Sequence, residues 1–261
     1  MKKAILATLL SATALTLLAV PADAATKKTE TDIGVQFKSD DPTVESGMKP
    51  YRNNLSVVFK PSSFEFGEVK SQPGSMILNN IKGANAGLGE KIDPKGSYLV
   101  VNDDRDITKQ PNEELGAWTL TAQLSELQTA DKTAKLSNAK LDFKLDGLKK
   151  YDISASPLDS ENDYIPLKPW ESDKDSKPVV TDFAPEDVHG VGIPDATKVL
   201  TLEAGVNQQV AILTKEKANK YNKGVITSIR DVKLSVIDAD QKDQSFKGTI
   251  TWTLDDAPKF G

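Results

Sequence analysis

An all-β fold, a sandwich or barrel with long loop excursions and very little helix, is what this chain predicts. Three observations carry it. Short segments alternate apolar and polar residues with period two. Clusters of Gly, Pro, Asn and Asp separate those segments. Helical periodicity is almost absent. About ten or eleven short strands can be read this way, the pattern of a sandwich or barrel. The clearest strand lies near the end of the chain, where Ile250, Trp252 and Leu254 share one face and Thr249, Thr251 and Thr253 the other. A second, at 116–124, places Trp118, Leu120, Ala122 and Leu124 on one face. The triplet Trp-Thr-Leu therefore occurs twice, at 118–120 and 252–254, and holds two of the three tryptophans.

In chain order, residues 1–24 read as a targeting segment. Lys2 and Lys3 precede an apolar run over 4–20, Pro21 breaks it, and Ala22-Asp23-Ala24 fits a small-x-small cleavage site. Export with cleavage after Ala24 is predicted; the run is too short for a membrane span. Residues 25–32 are polar and read as a frayed end. A strand is predicted over 32–38, with Ile33, Val35 and Phe37 on one side. A polar loop fills 39–54, and 25–54 is taken as an N-terminal segment ahead of a β domain at 55–261. Strands follow at 55–60, 64–67 and 75–78. Tyr98-Leu99-Val100-Val101 is apolar throughout and predicts a strand buried on both faces. The segment 140–146 alternates Leu141, Phe143 and Leu145 with Asp142, Lys144 and Asp146.

Residues 152–198 carry six prolines and no periodicity. They read as an excursion from the fold, with edge pairing near 178–182. Because they separate the two Trp-Thr-Leu triplets, two linked β subdomains are an open alternative to one unit. Strands return at 199–203 and 209–213. A short helix is predicted over 214–222 with Thr214 as N-cap. Strands at 231–237 and 248–254 close the chain.

Composition narrows the function. The net charge is −5, and loss of Lys2, Lys3 and Asp23 with the leader makes it one unit more negative. Mixed, mildly acidic charge argues against nucleic acid or an anionic membrane as partner. There is no Cys, so no disulfide framework and no lipid-bearing cysteine. Past the leader there is no second long apolar run and no covalent wall-sorting signal. If the protein stays on a cell surface, it must hold there non-covalently.

These features carry a resemblance. The proximal triplet Trp118-Thr119-Leu120, the preceding Val101-Asn102-Asp103-Asp104-Arg105, and the distal triplet Trp252-Thr253-Leu254 followed by Asp255-Asp256-Ala257-Pro258 resemble the WxL-domain surface proteins of low-GC Gram-positive bacteria. The likeness spans roughly residues 55–258. It implies secretion and residence at the cell wall by non-covalent binding to peptidoglycan. It also implies work alongside other surface proteins, including a membrane-anchored partner that binds the WxL domain, and in some members adhesion to host matrix. The resulting expectation is a wall-binding surface protein without catalysis, cofactor, nucleic acid or membrane insertion. The competing expectation is an adhesion or interaction protein whose main ligand is a partner surface protein or host matrix.

The site candidates are the six triplet residues, Trp118, Thr119, Leu120, Trp252, Thr253 and Leu254. Two readings of the tryptophans stand side by side. Alternation with Leu and Ile is how a buried strand face looks. An amphipathic indole is also a platform for sugar rings. Trp170, in the polar excursion, is either a ligand contact or an anchor holding that loop to the fold. The acidic groups Asp103-Asp104-Asp106, Asp173/Asp175 and Asp238/Asp240/Asp243 read as solvated turns; the last has alternating carboxylates but no EF-hand glycine or distal glutamate. The single His189, with no nucleophile elbow, Cys nucleophile or metalloprotease pair, gives no catalytic motif.

Overall fold

The computed structural model describes residues 26–34, 43–70, 73–83, 86–105, 116–136, 138–184, 191–193, 198–216, 223–237 and 244–256. The predicted leader, His189 and Asp106, together with Asp238, Asp240 and Asp243, lie outside them. Among the described residues seventeen strands run in order. The first six are β1 (Thr26–Gly34), β2 (Val44–Ser46), β3 (Leu55–Pro61), β4 (Ser63–Glu65), β5 (Met76–Asn79) and β6 (Ser97–Asp103). Then come β7 (Trp118–Leu124), β8 (Leu127–Gln128), β9 (Lys135–Leu136), β10 (Lys140–Leu145), β11 (Lys149–Tyr151) and β12 (Val180–Thr181). The last five are β13 (Val191–Gly192), β14 (Leu200–Glu203), β15 (Val210–Lys215), β16 (Gly224–Val236) and β17 (Lys247–Asp255). A 3-10 turn, Ile153–Ala155, is capped by the Asp152 carboxylate accepting from Ser154 N.

The strands form two sheets. One runs β13-β15-β7-β17-β1-β4, with β8 and β9 attached; the other runs β12-β11-β16-β6-β3-β2, with β10, β14 and β5 joined through β16 and β10. The alternating strands each turn one face to a shared core. Trp118, Leu120, Leu213, Ile250, Trp252 and Leu254 of the first sheet pack with Leu99, Val101, Leu141, Phe143 and Leu234 of the second. This is the predicted sandwich.

The two Trp-Thr-Leu triplets lie on neighbouring antiparallel strands of one sheet, with Leu254 opposite Leu120 and Thr253 opposite Thr121. They do not head two separate units.

The strand predicted as buried on both faces is so, and a second apolar cluster explains why. Tyr98 and Val100 of β6, Val58 of β3 and Ile226 of β16 point away from the main core. Ile153, Val179 and Val180 cover them, with Tyr164, Leu167 and Trp170 packed alongside. The stretch after residue 151 is therefore not a loose excursion over its first part. Its backbone is closed by the Leu158–Tyr164 and Ser172–Pro178 bridges. Its edge pairing falls at β12, as predicted, against β11. Gly224 is required at the start of β16, where a Cβ would stand 2.2 Å from the Tyr151 carbonyl oxygen.

Asp163 ties this cover to the sandwich. Its buried carboxylate accepts from Tyr51 N at 3.0 and 3.2 Å and from Arg52 N at 2.7 Å. Asp163→Ala should cost about 1–3 kcal/mol, the usual penalty for stranding buried donors. A lowered unfolding midpoint and faster limited proteolysis within 152–183 are expected. An unchanged midpoint and cleavage rate would show that the cover is held by its apolar contacts alone.

Three sequence expectations need correction. The first strand begins at Thr26 and not at Asp32, so the polar segment is paired, residue for residue, with β17 from Thr26–Asp255 to Gly34–Lys247. Its buried Thr31 hydroxyl is satisfied within the sheet, accepting from Trp252 Nε1 and donating to the Pro61 carbonyl. The predicted helix does not begin at Thr214: Thr214 and Lys215 finish β15, opposite Thr119 and Trp118. Residues 217–222 lie outside the described residues. The strand predicted at 231–237 is the second half of a 13-residue strand. Asp231, at φ 53°, and a register shift against β10 interrupt its alternation.

Candidate functional site

Four of the six triplet residues are core. Trp118 is 1% exposed and Trp252 0%, and Leu120 and Leu254 are equally enclosed. Neither indole presents a ring face to solvent, so the sugar-platform reading has no exposed ring to work with. Their N–H groups differ. Trp252 Nε1 donates to Thr31 Oγ1 at 2.8 Å, and that hydroxyl donates onward to the Pro61 carbonyl at 2.7 Å. Trp118 Nε1 is buried and makes no hydrogen bond among the described residues. Thr253 is buried, and Thr119 is half-buried on the opposite face of the sheet.

The triplets instead frame one end of the sandwich. There β15 and β6 end, β7 and β1 begin, and β17 runs out into Asp255-Asp256. This brings together charged side chains far apart in sequence. Asp103, at the end of β6, and Lys215, at the end of β15, form an ion pair at 3.0 Å with both side chains 1% exposed. Arg105 forks onto the same carboxylate, Nε to Oδ1 at 2.8 Å and the other arm to Oδ2 at 3.0 Å. Its remaining nitrogen faces Asp256 at 3.7 Å. Asp104 accepts from Asn53 N at 2.7 Å.

Asp103 is thus not part of a solvated turn. Two cations neutralise a carboxylate that burial alone would penalise by several kcal/mol. Burial pushes the Lys215 ammonium below its ordinary value; Asp103 opposes that shift and Arg105 adds to it.

Beside this cluster a cleft is lined by Lys27, Asn54, Leu55, Arg105, Leu254 and Asp256. The Lys27 ammonium on its wall is buried without a hydrogen-bond partner among the described residues. Desolvation pulls its pKa down, and Asp256 pulls it partly back.

The other sequence candidates are accounted for structurally. Trp170 is half-buried, its ring 6.5 Å from that of Tyr98, with Lys168 Nζ 5.7 Å from its centroid. It anchors the cover over the second sheet. Asp173 Oδ1 accepts from Asp175 N at 2.9 Å and Lys177 N at 2.8 Å, closing its own turn. Among the described residues no three metal-ligating side chains gather.

Sequence reading missed Lys27, Lys215 and Thr31. Lys215 fell inside the predicted helix, and Lys27 inside the segment read as frayed. The available signals were Asn102-Asp103-Asp104-Arg105 and Asp255-Asp256, singled out together with the triplets.

No curated protein and no solved structure gives a match. A family model described as "WxL domain surface cell wall-binding" matches residues 24–258.

Proposed function

The chain belongs to the family of WxL surface cell wall-binding domains, and from that membership we propose that it attaches non-covalently to the Gram-positive wall by binding peptidoglycan. The observation that supports this reading is the convergence of the family-like residues on one end of the sandwich. The aromatic and leucine side chains of the triplets build the frame. Asp103, Arg105 and the tail of β17 gather at its polar end, with the Lys27 cleft beside them. The reading assigns the ligand to that end and assigns the chain no catalytic step.

Co-sedimentation tests it. The chain from residue 25 is mixed with purified, protein-free Gram-positive sacculi, with and without removal of wall polymers. Binding to bare peptidoglycan is expected. Failure to sediment, from protein shown to be folded, would remove the peptidoglycan reading. Release of soluble muropeptides would remove the non-catalytic one.

A second reading, attachment through a partner surface protein or host matrix, is favoured by one feature. Among the described residues β5 pairs with β16 alone. Ile77 on it is 67% exposed, with Ile81 and Val69 also exposed nearby in sequence. An open edge with apolar side chains suits strand addition by another protein. Cross-linking on intact cells, with sacculus binding absent, would favour this reading.

A further inference from the structure

We infer that the outward face of β7 and β17 is a binding surface for an uncharged, N-acetylated glycan strand of the wall, recognised by threonine hydroxyls and glutamine carboxamides. The inference rests on the wall-binding reading for the source of the glycan and deepens it, by assigning the surface that meets the polymer.

Three observations carry it. The first is composition. β7 turns Trp118, Leu120, Ala122 and Leu124 to the core and Thr119, Thr121 and Gln123 away from it. β17 turns Ile250, Trp252 and Leu254 inward and Thr249, Thr251 and Thr253 outward. These outward positions carry hydroxyls and one carboxamide, and no charge. Thr253 is itself buried; the other five are partly exposed. The outward positions of β10, by contrast, are Asp142 and Lys144, as on an ordinary solvated strand.

The second is register. Thr251 stands opposite Gln123 and Thr253 opposite Thr121, so the polar groups form rows across the two strands. Charged side chains stand at the margins: Lys28 and Glu30 of β1 opposite Thr253 and Thr251, and Asp255 opposite Thr119. A phosphate polymer meets no row of cations on the central positions. A neutral sugar meets donors and acceptors together, and a carboxamide matches an acetamido group donor for acceptor.

The third is that these groups are loosely engaged within the chain. The Thr121 hydroxyl lies 3.3 Å from Gln209 Oε1 and 3.4 Å from the Thr253 carbonyl. Gln123 Nε2 lies 3.3 Å from the Val206 carbonyl and 3.2 Å from Asn207 Oδ1. Such lengths are at or beyond the long limit for these donors, so a ligand can replace them at little cost. The groups are also pre-positioned. They sit on strands, and threonine is stiff at χ1, so little freedom is lost on binding. From Thr119 to Gln123 the face runs roughly 13 Å along β7, which suits an oligomer and not a single sugar. Thr119 lies at the end of the sandwich where the triplets gather, so the face continues from that end.

The chain from residue 25, labelled with nitrogen-15, would be titrated with the neutral tetramer of β-1,4-linked N-acetylglucosamine. The amide signals of Thr119, Thr121, Gln123 and Thr251 should move together. A paired variant charges the face while keeping the sheet. Thr251 lies between Gln123 and Glu30 in register, so Gln123→Glu with Thr251→Lys builds a row of alternating charge across three strands, an arrangement that favours pairing. That variant should keep the parent's unfolding midpoint and bind the tetramer and bare sacculi about tenfold more weakly, the loss expected when two polar contacts are removed.

No shift at these residues with millimolar tetramer, shifts confined to other surfaces, or unaltered binding by the folded paired variant would each overturn the proposal. Signals of the face that move on dilution of the free chain would place a second copy there and overturn it as well. The titration of the parent chain needs no substitution, so a variant that fails to fold does not stop the test. Sacculus co-sedimentation without shifts on the face would sink this surface and leave the wall reading standing. Shifts on the face without co-sedimentation would remove the wall reading and leave a glycan-binding surface.

Discussion

Trp252→Ala is expected to destabilise the protein by about 3–5 kcal/mol, the range for removing a large buried aromatic from a well-packed core. Against a total stability of about 5–15 kcal/mol, that is enough to unfold much of the population. Two physical losses add. The indole is fully enclosed between the sheets, so its removal leaves a cavity that fixed strands cannot close. Its N–H also holds the Thr31 hydroxyl, which in turn binds the Pro61 carbonyl, so one chain of hydrogen bonds links β17, β1 and β3.

Phenylalanine separates the two losses. Trp252→Phe keeps most of the volume and loses the donor to Thr31, which should add about 1 kcal/mol to the cost of the size change. Trp118→Phe loses a donor that has no partner among the described residues, so the hydrogen-bond part of its cost should be absent. Denaturant unfolding of the four variants, Ala and Phe at each site, checks this. Wall binding should fall only in step with the folded fraction. A Trp252→Ala chain with the parent's midpoint and no sacculus binding would return the indole to the surface and refute its place in the core.

The parts of this fold that were legible in the sequence are those where burial alone decides the residue. In β7 and β17 one face meets the core and the other does not, so Trp118, Leu120, Ala122 and Ile250, Trp252, Leu254 alternate with threonines. In β6 both faces are covered, so Tyr98 to Val101 is unbroken. What escaped the pattern is held by hydrogen bonds and charge. β1 reads as polar because Thr31 is buried by its bonds to Trp252 and Pro61, with no apolar stripe to advertise it. The first half of β16 hides Thr227 and Ser228, whose hydroxyls donate to the Asp146 and Ala86 carbonyls. The charged site was less visible still. Asp103 and Lys215 are separated by 112 positions, and neither residue signals from its neighbours that it is inside. The motif Asn102-Asp103-Asp104-Arg105 marked the place; only the fold supplied the lysines.

That cluster makes an asymmetric prediction. Asp103 serves two cations, whereas Lys215 and Arg105 share one carboxylate. Asp103→Leu should therefore remove the carboxylate paired with Lys215 in a site 1% exposed and cost about 3–5 kcal/mol, the penalty for breaking a buried ion pair. Lys215→Met leaves Asp103 with both arms of Arg105 and should cost less, about 1–3 kcal/mol. The double variant removes both buried charges, and Arg105 keeps Asp256 within reach at 3.7 Å. Well-packed apolar replacements for a buried ion pair are often near neutral, so the double variant should be more stable than Asp103→Leu alone. A double-mutant cycle from denaturant midpoints gives the coupling directly. Additive single effects would mean that the pair contributes no interaction and that each side chain acts only through its packing. Rescue by the second substitution would show that charge balance fixes this end of the sandwich and hence the position of Arg105 on the cleft wall.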